Sequence, residues 1–263
     1  MKKSSFLLIS IFFFLVSCNK EKTSTISNGN LNSNKDTSEQ SSGINFTCIG
    51  TPVGTFQNKI SDVEGNTYKT VKIGTQLWMA ENLKTSKYSD GSNIPNITDN
   101  IQWKRDTTGA WSYYNNDAAY NTKYGKLYNW YAVSKSTNGN KNLCPNGWHV
   151  PTDEEWTVLT DYLGGDSLAG GKMKEVGTTN WTSPNKEADN VSLFTGLPGG
   201  ARMDGGKYYH INNFGAWWSS TEYGDFNTNN LAWARYLSYL YIRTGGDVDD
   251  SKYIGYSIRC VKD

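Results

Sequence analysis

The residues that could do acid–base or nucleophilic chemistry are few. The chain has only two histidines, His149 and His210, in 263 residues. Neither belongs to a His-Glu-x-x-His helix, and no Gly-x-Ser-x-Gly elbow or glycine-rich phosphate loop occurs. His149 stands in the turn before Thr152-Asp153-Glu154-Glu155, where a packed or hydrogen-bonding imidazole is favoured over a general base. His210 follows Tyr208-Tyr209 and reads as a loop residue. Helix capping accounts for the adjacent carboxylates Glu154 and Glu155, so no catalytic residue is assigned and no enzyme is expected. Metal chemistry is a closer choice. The run Gly245-Gly246-Asp247-Val248-Asp249-Asp250 gathers Asp247, Asp249 and Asp250 in one turn, and calcium prefers such oxygen ligands. The run lacks the positional ligands and closing glutamate of an EF-hand. A solvated turn is therefore favoured, calcium is the alternative, and no other cofactor is implied.

Binding chemistry has more to work with. Aromatic residues make up 14% of the chain, and every Trp and Tyr lies at or beyond Tyr68. An exposed indole or phenol offers a flat apolar face to a sugar ring or a peptide. Trp217 and Trp218 are adjacent, so on a strand their side chains point to opposite faces. One can fill the core while the other meets a second layer, a loop or solvent. Asn212, Asn213, Asn227, Asn229 and Asn230, with Tyr223 and Tyr236, give 208–236 the adaptable polar-aromatic character of binding loops. The ligand-binding candidates are Trp217, Trp218, Tyr208, Tyr223, Trp233 and Arg202, against a competing reading in which most aromatics are core. Lys and Arg number 26 against 25 Asp and Glu, for a net charge of +1. Such a balance gives no case for nucleic-acid binding, which needs a clustered basic patch.

These side chains need elements to hold them. Alternation from Tyr68 to Ile73, the break at Gly74-Thr75 and the resumption at Gln76 to Met79 predict a β-hairpin. Residues 84–122 are rich in Asn, Asp, Gly and Thr and read as long irregular loops with short strands. Leu127, Trp130 and Tyr131 have the i, i+3, i+4 spacing of a short helix with one apolar face. Thr152 and Glu155 form a capping box, with Asp153 and Glu154 at the positive end of the helix dipole. Trp156, Leu159 and Leu163 then share one face, and Gly164-Gly165 ends the helix. Residues 217–221 and 232–237 read as strands. So does 256–261, with Tyr256, Ile258 and Cys260 on one face.

The first 17 residues carry Lys2 and Lys3 followed by an apolar run. That run is too short for a ~30 Å hydrocarbon core, which takes ~20 residues. It reads as a cleaved export signal, and the ending Leu15-Val16-Ser17-Cys18 resembles a bacterial lipobox. Cleavage there leaves Cys18 as the lipid-modified first residue, anchored durably because several acyl chains act together. Residues 18–45 contain no aromatic side chain and few aliphatics, and form a disordered tether that holds the head away from the membrane. Residues 46–60 are a lead-in, and 61–263 the folded domain.

Within that domain, an ordered set of motifs carries a resemblance. Asp62-Val63-Glu64-Gly65-Asn66-Thr67-Tyr68, Trp78-Met79-Ala80-Glu81-Asn82-Leu83, Tyr124-Gly125-Lys126-Leu127-Tyr128-Asn129-Trp130, Cys144-Pro145-Asn146-Gly147-Trp148-His149-Val150-Pro151-Thr152, Leu197-Pro198-Gly199-Gly200, Trp217-Trp218-Ser219-Ser220-Thr221 and Ser257-Ile258-Arg259-Cys260-Val261 follow one another. Together they resemble the Fibrobacter succinogenes major paralogous domain, a family of bacterial envelope lipoproteins. More distantly, Gly147 to Trp156 and Ser-Ile-Arg-Cys are similar to the formylglycine-generating, sulfatase-modifying group. The resemblance implies an α+β, C-type-lectin-like fold with two short helices, small antiparallel sheets, long loops and paired termini. It also implies a Cys144–Cys260 disulfide, since lectin-like folds tie the first helical region to the terminal strand. Cys48 is left unpaired or bridges to another molecule, and Ser112 stands where relatives often carry a further cysteine. The distant group's activity uses cysteines close in sequence near the C-terminus, whereas Cys260 is alone there, so that activity is not carried over.

Two functions from different classes are expected. The first is an envelope lipoprotein in the outer membrane, held by its lipid anchor, with a non-catalytic head that binds a glycan, a peptide or a surface protein. The second is a structural or assembly lipoprotein that packs against envelope partners and has no soluble ligand.

Overall fold

Alternation at 68–79 does produce a hairpin, and the chain adds a strand in front of it. The computed structural model describes residues 52–224, 230–241 and 245–263, excluding the side chains of 245–249. Cys18, Cys48, the signal and tether segments, Asn227, Asn229 and the side chains of Asp247 and Asp249 lie outside the described residues. Strands β1 (Gly54–Ser61), β2 (Thr67–Ile73) and β3 (Gln76–Met79) run antiparallel in succession. The Asp62 carboxylate organises the β1–β2 turn. It accepts the backbone N–H groups of Glu64 and Asn66 at 2.9 and 3.0 Å and the Tyr68 hydroxyl at 2.6 Å. Thus β1 comes almost wholly from the lead-in segment and forms one edge of the sheet.

Residues 84–122 are mainly irregular but hold more helix than their composition predicts. Helix α1 (Asn100–Arg105) is capped by Asp99, whose Oδ1 accepts the Gln102 N–H at 2.8 Å. Its six residues bury only Trp103, too little for a periodic signal. Strand β4 (Trp111–Ser112) precedes two 3₁₀ turns and helix α2 (Asn121–Tyr124). Leu127 belongs to strand β5 (Leu127–Tyr128), not to the helix predicted there; helix α3 (Trp130–Val133) is a single turn, buried all round.

Strand β6 (Trp148–His149) leads into helix α4 (Asp153–Tyr162). The capping box forms as expected. Thr152 Oγ1 accepts the Glu155 N–H at 3.2 Å, and the Glu155 carboxylate accepts the Thr152 N–H at 2.8 Å. Helix α5 (Asp166–Met173) follows at once, its Ala169-Gly170-Gly171 face buried against the passing chain at 187–189. Two glycines hide this helix from a propensity reading. The described residues therefore hold five short α-helices rather than two.

The remaining strands are β7 (Ala201–Arg202), β8 (Tyr208–Tyr209), β9 (Phe214–Glu222), β10 (Leu231–Ser238), β11 (Gly245–Ser251) and β12 (Val261–Lys262). The larger sheet has the order β1-β2-β3-β12-β6, so the C-terminal strand lies between the N-terminal hairpin and mid-chain β6. Val261 pairs with Trp78 on one side and His149 on the other. A second antiparallel sheet has the order β11-β10-β9, and β4–β5 and β7–β8 form small two-stranded sheets. The class is α+β with small antiparallel sheets and short helices. Cys144 and Cys260 form the expected disulfide, closing 116 residues of sequence.

Strand β9 divides the interior. Trp218 faces a core cluster with Tyr128, Trp130 and the disulfide, while Trp217 faces a second cluster with Trp78, Trp156 and Phe194. Both layers are apolar, so a two-sided strand carries Trp on each face. Between the layers, Asn82 joins four of the sequence motifs. Its Oδ1 accepts from Trp217 Nε1 at 2.9 Å and Arg259 Nε at 2.8 Å. Its amide donates to the Tyr124 carbonyl at 2.8 Å and to Ser257 Oγ at 3.1 Å. A buried amide satisfied on both ends specifies one packing of these elements.

Candidate functional site

Leu197-Pro198-Gly199-Gly200 turns the chain into the β7–β8 hairpin. Gly200 has φ +66, and a Cβ there would lie 2.6 Å from the Tyr209 carbonyl and 2.8 Å from the Tyr114 ring. Only glycine lets the hairpin fold back this closely. After β8 the chain reverses through His210 and Asn212, both at φ 67, a conformation asparagine tolerates better than most residues. The Asn212 N–H donates to the Pro198 carbonyl at 3.0 Å and pins the turn.

That turn sets His210 and Asn213 on the rim of a cleft of about 520 Å³. Its floor is aromatic. Phe214 on β9 and Tyr236 on β10 lie 5.2 Å apart with their rings tilted by 31°, and Tyr256 packs 6.4 Å from Phe214. Asn213, Ser238 and Asp250 supply amide, hydroxyl and carboxylate around these rings. The Tyr256 hydroxyl donates to Asp250 Oδ2 at 2.8 Å. Burial, reinforced by the Asp250 charge, pushes the Tyr256 phenol well above its ordinary pKa and keeps it neutral. Phe214 and Tyr236 are half-buried, so a flat ligand can lie against them while its polar edges meet the rim. This is chemistry for holding a ligand by stacking and hydrogen bonds.

Several residues expected in such a site are elsewhere. Trp217 and Trp218 are 1% and 0% exposed, so neither offers a ring face to a ligand. Their indole N–H groups donate to Asn82 Oδ1 and to the Tyr128 carbonyl, each at 2.9 Å. Arg202 is also fully buried. It donates to carbonyls of Ile97, Thr98 and Gly206, with its guanidinium 4.2 Å from the Trp103 ring, and it fastens 97–100 to the hairpin. Tyr208 is half-buried and donates to Asn116 Oδ1 at 2.7 Å, outside the aromatic cleft. Tyr223 and Trp233 form a T-shaped pair at 4.8 Å and do not line it either. Composition points to Asn213 and Tyr236 within 208–236 and to Asp250 only as a calcium ligand, whereas Phe214 and Tyr256 carry no binding signal in the sequence. Of the calcium candidates, Asp250 is the Tyr256 acceptor, and the described residues contain no group of three or more potential metal ligands.

His149 is a hydrogen-bonding residue. Its Nδ1 lies 2.6 Å from Asp263 Oδ1, and its Nε2 lies 2.9 Å from both oxygens of Glu155. The imidazole thus clamps the end of β12 to the capping box of α4. Partial burial opposes its charge, but the Asp263 and Glu155 carboxylates outweigh this and raise its pKa. A raised folded-state pKa gives a stability contribution that is complete below the unfolded value of about 6.5 and lost as pH rises through the folded value. The difference in thermal midpoint between wild type and His149→Gln should therefore shrink from pH 5 to alkaline pH (both values bracketing about 6.5). A difference constant with pH would contradict the clamp.

No helix among the described residues is long and apolar enough to cross a membrane. The family model described as the Fibrobacter succinogenes major domain matches residues 71–262, from β2 to the last strand. No curated protein and no solved structure matches the chain. A family match over most of the sequence, spanning the disulfide, the aromatic cleft and every strand from β3 onward, means that this protein belongs to the Fibrobacter succinogenes major domain family.

Proposed function

We propose that the protein is an envelope lipoprotein of the outer membrane, anchored through a lipid on Cys18. Its C-type-lectin-like head is a non-catalytic binding module for a glycan. The signal-like N-terminus and lipobox support the anchor, and the polar 18–45 segment supplies reach. The C-terminal strand beside an N-terminal hairpin, and the bond between Cys144 and Cys260, are in keeping with a lectin-like topology.

One observation carries the binding function: the half-buried Phe214–Tyr236 floor ringed by Asn213, Ser238 and Asp250. Sugar rings have an apolar face to stack and hydroxyls around the edge to donate and accept, and this cleft presents the complement of both. Pockets built this way, apolar with a few convergent polar groups, are the usual form of a small-ligand site. The test is a fluorescence titration of the full chain with neutral glucose, mannose, xylose and N-acetylglucosamine series, from monosaccharide to hexasaccharide. At least one series should bind saturably, and Tyr236→Ala should weaken it about three- to tenfold, as loss of one aromatic platform predicts.

A second reading rests on the edge strand β1, where Phe56 is 50% exposed. An edge that no other described strand pairs, with an apolar side chain on it, suits pairing with another envelope protein. If no sugar binds and a pull-down from native envelopes yields one stable protein partner, this assembly function replaces the first.

A further inference from the structure

We infer that the ligand is a neutral chain of sugar units rather than a single sugar, and that Tyr120 carries a second subsite for it. This rests on the reading of the Phe214–Tyr236 cleft as a glycan site. A second recess of about 310 Å³ is lined by Asp117, Ala119, Tyr120, Lys123 and Tyr124. Tyr120 is half-buried at its wall. Its ring is held 5.3 Å from Tyr114 and 6.1 Å from Tyr124, which are themselves only 5% and 7% exposed. Two buried neighbours fix the ring in place, so a stacking ligand meets a pre-set platform and loses little to ordering it. Asp117 and Lys123 add one acceptor and one donor group of the kind that sugar hydroxyls use.

One hydrogen bond links the recess to the turn beside the cleft. The Tyr124 hydroxyl donates to Asn212 Oδ1 at 3.2 Å, and the next residue, Asn213, lines the cleft with His210. The turn at 210–213 therefore touches the wall of the recess through Asn212 and lines the cleft through His210 and Asn213. A monosaccharide can occupy the recess or the cleft, whereas a chain can engage both, and the second contact then forms at high effective concentration. The charges argue for a neutral chain. Asp117 and Lys123 offset each other in the recess, and among the described residues Asp250 and His210 are the only acidic or basic side chains lining the cleft.

The test uses the full chain and calorimetry with the neutral series above. Affinity should rise about three- to tenfold from monosaccharide to tetrasaccharide. Tyr120→Ala should remove that rise and leave monosaccharide affinity unchanged, while Tyr120→Phe keeps it. Lys123→Ala, an exposed change, should reduce the same rise with no change in thermal midpoint, which separates loss of a contact from loss of fold. Length-independent affinity, or a rise that persists in Tyr120→Ala, overturns the second subsite and leaves the cleft standing. Absence of binding by every series overturns the cleft reading and this inference with it.

Discussion

Cys144→Ser is expected to lower the stability of the head by about 4–5 kcal/mol, because the disulfide closes a loop of 116 residues. In the chain-entropy account that loop restricts the unfolded chain far more than the folded one. At roughly 2–4 °C per kcal/mol for a domain of this size, the thermal midpoint should fall by roughly 10–20 °C. Reduction of the wild type should give the same shift. The closed loop contains α4, α5, the β11-β10-β9 sheet and every residue of the aromatic cleft, so the effect should extend to ligand binding at temperatures where the variant still folds. A fall of only a few degrees would mean that packing alone holds β12 between β3 and β6.

Arg259→Met should be almost as damaging. Arg259 is fully buried between the two core layers, with its guanidinium 4.4 Å from the Phe194 ring. It donates to Asn82 Oδ1, to the Met79 carbonyl at 3.3 Å, to the Phe194 carbonyl and to the Thr195 carbonyl at 3.0 Å. Methionine fills part of the volume but takes the guanidinium donor from the Met79, Phe194 and Thr195 carbonyls, and leaves Asn82 Oδ1 with Trp217 Nε1 alone. Each buried group left unsatisfied costs about 1–3 kcal/mol, so a loss of at least about 3 kcal/mol is expected in denaturant unfolding. Arg259→Lys should recover only part of it, since an ammonium cannot reproduce the planar fork. A loss under about 1 kcal/mol would show that water reaches the site and satisfies the carbonyls.

Arg259 also marks where the sequence stops being legible. Alternation at 256–261 predicts a strand with Tyr256, Ile258 and Cys260 on one face; all three are buried, but only Val261 of that run lies in a strand, β12. Ser257 and Arg259, between those residues in the alternation, are buried as well. Their cover comes from Asn82 and Phe194, which are 177 and 65 residues from Arg259 in sequence. No local pattern contains that information. Trp217 and Trp218 fail in the same way. Their opposite directions were readable, but a second apolar layer also covers the far face of β9.

Most local signals survived, although Leu127, read into a helix with Trp130 and Tyr131, lies in β5. The Thr152–Glu155 capping box, the 68–79 hairpin and strands β9 and β10 depend on residues within one or two turns of each other. The disulfide followed from resemblance, which carries long-range pairing that spacing alone does not. The cleft lay between these extremes. Asn213 and Tyr236 belong to a stretch whose composition already looked like a binding surface. Phe214, Asp250 and Tyr256 join them from β9, β11 and the approach to β12, so the site exists only once the sheet has formed. Arg202, a ligand-binding candidate in the sequence, is held instead by the carbonyls at 97 and 98.

The central claim is that the aromatic cleft binds a glycan, and a calorimetric titration of wild type and Tyr236→Ala with the tightest-binding neutral sugar tests it most directly. The predicted result is saturable binding to the wild type, weakened about three- to tenfold by Tyr236→Ala with the thermal midpoint of the sugar-free protein little changed. Equal affinity in the two proteins, or no heat of binding with any sugar of the panel, would contradict it.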